Sequence, residues 1–173
     1  MTTDWLAGRL ERVKVIDASW HLPAAGRNAR AEFEAAHIPG AVFFDLDAIA
    51  DTSSDLPHML PSPEAFGEAI GRLGVGDADC VVVYDSVGLF SAARVWWTFR
   101  AMGHDAVRVL EGGLPRWRAE GRPLESGARS APTARFRAAL RPELVRSLDQ
   151  VRAGLATERL VDARPGPRFR GEA

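Results

Sequence analysis

Cys80-Val81-Val82-Val83-Tyr84-Asp85-Ser86-Val87-Gly88-Leu89-Phe90-Ser91 decides how this chain is read. The run from Cys80 to Tyr84 is apolar without alternation, which is the pattern of a short parallel strand covered on both faces. A helical pattern begins near Ser91 and runs to Met102, where Gly103 stops it. Open parallel sheets bind ligands at the carboxyl ends of their strands, so the loop between strand and helix is the first place to look for chemistry. Backbone N–H groups and a helix N-terminus make such a loop an anion cradle. Its first position here holds a carboxylate, Asp85, which such a terminus favours by about 0.3–1 kcal/mol and which would repel an anionic substrate.

Outward from this unit the alternation continues. Val13 to Ala18, Ala41 to Phe44 and Ala106 to Leu110 read as further strands. Ser62-Pro63-Glu64 opens a helix that carries Phe66, Ile70 and Leu73 and ends at Gly74, and Leu114 to Glu120 reads as a short helix ended by Gly121. Strands alternating with helices predict an α/β domain, a central parallel sheet with helices on both faces. Residues 127–145, rich in Gly, Ser, Ala, Pro and Arg, read as an interdomain linker wrapped over the surface. The expected organisation is a first domain at 1–126, the linker at 127–145, and the truncated start of a second domain at 146–173. Ser147 caps an expected helix reaching Ala156, and Arg159 to Ala163 reads as a strand, echoing the start of the first domain as a weak internal repeat.

Composition narrows the class. The 173 residues are 46% hydrophobic and 26% charged, with a formal net charge of −1, as expected of a soluble globular protein and not of a nucleic-acid or membrane-surface binder. Lys14 is the single lysine among 22 basic residues. Arginine suits carboxylates and sulfur oxyanions through its planar donor fork, so a small anionic partner fits. No window approaches a membrane span, and Cys80, the single cysteine, rules out an internal disulfide and agrees with a reducing, cytoplasmic location. Metal-ligand, dinucleotide and phosphate-loop patterns are missing from the sequence, so no metal and no cofactor is expected.

Four motifs, in order, give the chain a family resemblance. Phe33-Glu34 followed by His37-Ile38-Pro39-Gly40-Ala41, and Leu110-Glu111-Gly112-Gly113-Leu114-Pro115-Arg116-Trp117 with Glu120-Gly121, resemble the two signatures of the rhodanese superfamily. Tyr84-Asp85 with Arg94-Val95-Trp96-Trp97 and Phe99-Arg100 is similar to the inactive first domain of two-domain sulfurtransferases, in which Asp stands where the catalytic Cys would be. Asp45-Leu46-Asp47 through Pro57-His58-Met59-Leu60-Pro61 is similar to the branch that acts on 3-mercaptopyruvate.

The resemblance implies transfer of sulfane sulfur from a small anionic donor to a thiol or cyanide through a cysteine persulfide. It implies Asp47 and His58 as a relay with a hydroxyl from the other domain, the carboxylate fixing the imidazole that shuttles the proton. In Gly166-Pro167-Arg168-Phe169-Arg170-Gly171, it implies Arg168 as a bidentate clamp on the donor's carboxylate. The nucleophilic cysteine and the missing C-terminal domain are expected beyond this chain, which alone should be inactive. Thiosulfate sulfurtransferase and a non-catalytic module that binds a partner protein are the rival readings. A phosphatase on a similar fold needs a Cys where Asp85 stands.

Other residues have plainer expectations. Cys80 should be a buried structural thiol and His37 a structural ring bonded to nearby backbone. His104, beside Gly103 and Asp105, is expected in a surface turn. Of Trp96, Trp97 and Phe99, at least two should belong to the core.

Overall fold

The computed structural model describes residues 1–129 and 131–172; Ser130, within the expected linker, and Ala173, the end of the expected second domain, lie outside them. The chain divides into two units, Met1–Arg141 and Pro142–Ala173.

In the first unit a parallel sheet has the order β2-β1-β3-β4, from β1 (Lys14–Asp17), β2 (Val42–Phe43), β3 (Val81–Tyr84) and β4 (Val107–Val109). Val15 stands opposite Val82 and Asp17 opposite Tyr84, while Val83 pairs with Val109. All four residues of β3 are buried. Alternate side chains serve opposite faces, as pleating requires. Val81 and Val83 join one cluster with Phe66 and Ile70 of α3 (Pro63–Arg72) and Val95 and Phe99 of α4 (Ser91–Ala101). Val82 and Tyr84 join the other with Leu6 of α1 (Thr3–Ala7), Phe33 of α2 (Ala29–Ala35) and Trp117 of α5 (Gly113–Ala119). The helices therefore cover both faces of the sheet. Ser62 caps α3 through the Ala65 N–H, with Pro63 at the first helical position.

The two signatures are structural joints. His37 donates from Nδ1 to the Phe33 carbonyl at 2.7 Å and its ring stacks on Phe33 at 4.1 Å. Its backbone exchanges hydrogen bonds with Glu125. Gly113 has φ +53°, and a Cβ there would lie 2.5 Å from the Asp85 carbonyl. A side chain is excluded at that position, and Leu114 N donates to the same carbonyl at 3.0 Å.

Part of the expected linker is an extended strap on the first unit. Ala134 N donates to Gly71 O at 2.9 Å, Ala139 N to Met102 O at 3.0 Å, and Arg137 N to the Asp77 carboxylate at 2.6 Å. Phe136 is buried, with ring centroids 5.8 Å from both Phe66 and Phe99. Its apolar surface gains more from the core than from water, although flanking arginines gave the segment a surface-like composition.

Two further expectations are corrected. His104 is buried between Phe99 and Phe136 instead of lying in a surface turn, because the strap closes over it. Its Nε2 has no hydrogen-bond partner among the described residues, and burial lowers its pKa. Cys80 is half-buried, because it precedes β3 instead of lying within it. Of the three aromatic residues on α4, Phe99 is fully buried and Trp96 packs against the same core cluster, as expected, whereas Trp97 is partly exposed beneath Arg94.

The second unit contains a 3-10 turn at Pro142–Leu144, α6 (Leu148–Gly154) and α7 (Gly166–Phe169). Ser147 and Gln150 form a reciprocal capping box on α6. Arg159 to Ala163 is not a strand, and Val161 is 89% exposed. A strand needs a neighbour to satisfy its backbone, and this short unit supplies none. Among the described residues no helix is long and apolar enough to cross a membrane.

Candidate active site

The strand order places a crevice between β1 and β3, because the chain leaves β1 toward β2 and leaves β3 toward β4. Ser19, after β1, accepts the Ser86 N–H on its Oγ at 2.9 Å and ties the two diverging loops together. Below it, Asp17 accepts the Ser19 N–H at 2.8 Å. Burial raises the Asp17 pKa, partly offset by the Ser19 hydrogen bonds. Tyr84 accepts the Ile38 N–H at 3.3 Å, and burial, reinforced by the Asp17 charge, pushes its hydroxyl well above the usual phenol value.

Asp85 fills the loop it begins. Oδ1 accepts from Val87 N at 3.0 Å and Gly88 N at 2.9 Å; Oδ2 accepts from Phe90 N at 2.6 Å and Ala92 N at 3.0 Å. The residue is 1% exposed. An anion cradle is thus built in full and occupied by the chain's own carboxylate, with no open face for a diffusing anion.

Asp47 and His58 meet at the rim. Asp47 follows β2, and His58 lies in the long loop before α3. Asp47 Oδ1 is 2.7 Å from His58 Nε2, and the His58 side chain is 28% exposed. An ionised carboxylate only accepts, so Nε2 carries a proton in this contact, and in a neutral ring Nδ1 keeps its lone pair. His58 has φ +56° and is the one non-glycine residue with a positive φ among the described residues. Such a conformation persists only where its surroundings hold it. The Arg94 guanidinium does so by donating to the His58 carbonyl at 2.5 Å. Burial lowers the pKa of Arg94, whose guanidinium lies 4.8 Å from the centre of the Trp97 ring.

Trp20 and Phe90 complete this rim without having been anticipated as site residues. Trp20 donates to Asp47, and its ring lies 6.4 Å from that of Phe90. The available signal was position: Trp20 lies in the loop that leaves the carboxyl end of β1, where site residues gather.

Arg168 belongs to the second unit, on the exposed surface of α7. Its neighbours Arg164 and Arg170 are held by Asp162 and Glu172, while Arg168 makes no ion pair among the described residues. Asp47, His58 and Asp85 are therefore brought together in one unit, and Arg168 stands in the other.

Residues 2–120 match the rhodanese-like domain. The chain is 46% identical to human 3-mercaptopyruvate sulfurtransferase over 99% of its own length and 61% of that protein's. It is 42% identical to mouse thiosulfate sulfurtransferase, again over 99% of this chain and 61% of the relative. Among solved structures, the crystal structure of SseA from Escherichia coli, described with the rhodanese fold of 3-mercaptopyruvate sulfotransferases, superposes with a TM-score of 0.93 at 41% identity. That match covers 99% of this chain and 68% of SseA. The chain thus spans about three fifths of the length of these two relatives.

Proposed function

The chain belongs to the rhodanese family, and from that premise we propose that it is part of a cytoplasmic sulfurtransferase acting on 3-mercaptopyruvate. In this reading Met1–Arg141 is the non-catalytic first domain, and the chain from Pro142 onward begins the catalytic one. The observation that carries the proposal is the Asp47–His58 pair, 2.7 Å apart at the carboxyl edge of a sheet whose own loop is closed by Asp85.

A cysteine thiolate outside these 173 residues attacks the sulfur of 3-mercaptopyruvate. The new S–S bond forms as the C–S bond breaks, and the enolate that departs takes a proton to become pyruvate. A thiol or cyanide then attacks the outer sulfur of the persulfide and frees the cysteine. His58, its Nε2–H held by Asp47, moves the proton through a hydroxyl supplied by the other domain. Arg168 grips the donor's carboxylate and orients its sulfur. With Asp85 filling the loop, the 173-residue chain alone is inactive.

Thiosulfate as donor is the second reading, favoured by the similarity to the mouse thiosulfate enzyme. Sulfur transfer to cyanide from each donor, measured on this chain and on a longer protein that includes a cysteine loop, separates the cases. Activity with 3-mercaptopyruvate in the longer protein, reduced about 10²–10⁴-fold by His58→Gln, is the expected result. Turnover by the 173-residue chain that Cys80→Ser abolishes would overturn it.

A further inference from the structure

The relay assigned to Asp47 and His58 depends on a carboxylate that little else restrains. The Asp47 side chain is 67% exposed, and an exposed carboxylate–imidazole pair holds its own geometry only weakly. Yet the carboxylate has a defined plane. Trp20 Nε1 lies 3.1 Å from Oδ1 and 3.1 Å from Oδ2. An N–H centred between two oxygens resists rotation of the group, because turning it stretches one of the contacts. Oδ1 is thereby left facing His58 Nε2 at 2.7 Å.

The same indole also sets the ring that Asp47 holds. Its ring meets that of His58 edge-on, with centroids 4.8 Å apart and an angle of 85°. Phe90 stacks against Trp20 at 25°, so the indole is packed against an aromatic residue of the β3 loop while its N–H reaches the β2 loop. Arg94, the charged group that α4 brings to His58, fixes the histidine backbone by donating to its carbonyl. Neither Trp20 nor Arg94 offers a group for chemistry at a sulfur atom; each acts by holding another residue.

We infer that Trp20 is the positioning residue of the relay: its indole N–H sets the Asp47 carboxylate plane, and through it selects the His58 tautomer that leaves Nδ1 free. The inference rests on the relay reading but is tested without turnover.

The test is long-range ¹H–¹⁵N correlation of the histidine rings in the 173-residue chain, at a pH high enough for the spectra themselves to show neutral rings. Wild-type His58 should show a protonated Nε2 and a bare Nδ1. Trp20→Phe keeps an aromatic ring and removes the donor, so the two His58 nitrogens should move toward averaged positions and match those in Asp47→Ala. A Trp20→Phe spectrum with the wild-type His58 pattern would overturn the inference. A second measurement does not depend on the Trp20 variant folding. The assigned Trp20 indole N–H resonance should shift in Asp47→Ala, and an unmoved resonance would also overturn it.

In the longer enzyme, Trp20→Phe should lower kcat about tenfold with KM unchanged, a fraction of what proton transfer contributes. A rise in KM at constant kcat would count against a positioning role. If sulfur transfer is missing from the longer protein while the spectra behave as described, the clamp stands and the sulfurtransferase reading fails.

Discussion

The carboxylate of Asp85 receives the backbone N–H of Phe90 at 2.6 Å, across the turn that leads into α4. Val87, Gly88 and Ala92 direct their N–H groups at the same carboxylate, so one side chain satisfies donors that water reaches poorly. Asp85→Ala removes every one of these acceptors at once. Leaving buried donors unmatched costs about 1–3 kcal/mol each, and relaxation of the loop recovers part of it. We expect a net loss of about 2–4 kcal/mol in urea unfolding, and a loss below about 1 kcal/mol would show that the loop refills with water at little cost.

Two carboxylates give opposite pH dependences. Asp17 has its pKa raised by burial, so its contribution to stability is present below the unfolded value near 3.8 and is lost as pH rises through the higher folded value. Asp17→Asn should flatten that decline above about pH 4 while keeping an acceptor for Ser19 N. Glu120 runs the other way. Hydrogen bonds from Thr3, Arg122 and Arg116 lower its pKa from 4.5 to about 2. The tie between α1 and the end of α5 is therefore intact above 4.5 and lost as pH falls through about 2. Urea midpoints at a series of pH values check both, with Glu120→Gln expected to blunt the acid limb alone.

The strap supplies a third case. Phe136→Ala should cost about 3–5 kcal/mol, as for other buried aromatic truncations. Gly71→Ala should cost about 1–3 kcal/mol, because its Cβ would stand 2.6 Å from the Ala134 carbonyl and push the strap outward. Limited proteolysis between residues 127 and 141 should accelerate in both variants. Unchanged cleavage in either would mean that the strap is held by other contacts, such as that of Arg137 with Asp77.

Arg168 carries a prediction for the longer enzyme. Arg168→Lys keeps the charge but loses the planar fork. With charged hydrogen bonds worth about 1.5–3 kcal/mol, kcat/KM for 3-mercaptopyruvate should fall about 10–100-fold. An unchanged value in steady-state assays would remove Arg168 from the substrate site.

What the sequence disclosed follows from how local each signal is. Val81–Tyr84 was legible because burial on both faces leaves an unbroken apolar run, and Ser62 and Ser147 because a cap acts within one helical turn. Asp85 was legible as a cradle residue from its place between strand and helix. Helix α2 escaped, since Phe33 is the one residue it buries and apolar spacing has nothing to repeat. Trp20 escaped as a site residue because its hydrogen bond spans 27 positions to Asp47. The burial of His104 and Phe136 depends on a strap whose composition resembles any exposed segment. Arg159 to Ala163 misled for the converse reason: β-branched and aliphatic residues favour a strand, but pairing requires a partner.

The place of Phe136 in the core also bears on when this domain finishes folding. A chain emerging from the ribosome exposes its sequence in order, at about 5–20 residues per second. All four strands are synthesised by Val109, yet the cluster around Phe66 and Phe99 lacks one of its walls until the strap emerges. During that interval the nascent domain carries an open apolar slot along α3 and α4, the kind of surface that chaperones bind. The segment whose composition suggested a tether is the last piece of the first unit to be delivered, and its arrival ends that exposure.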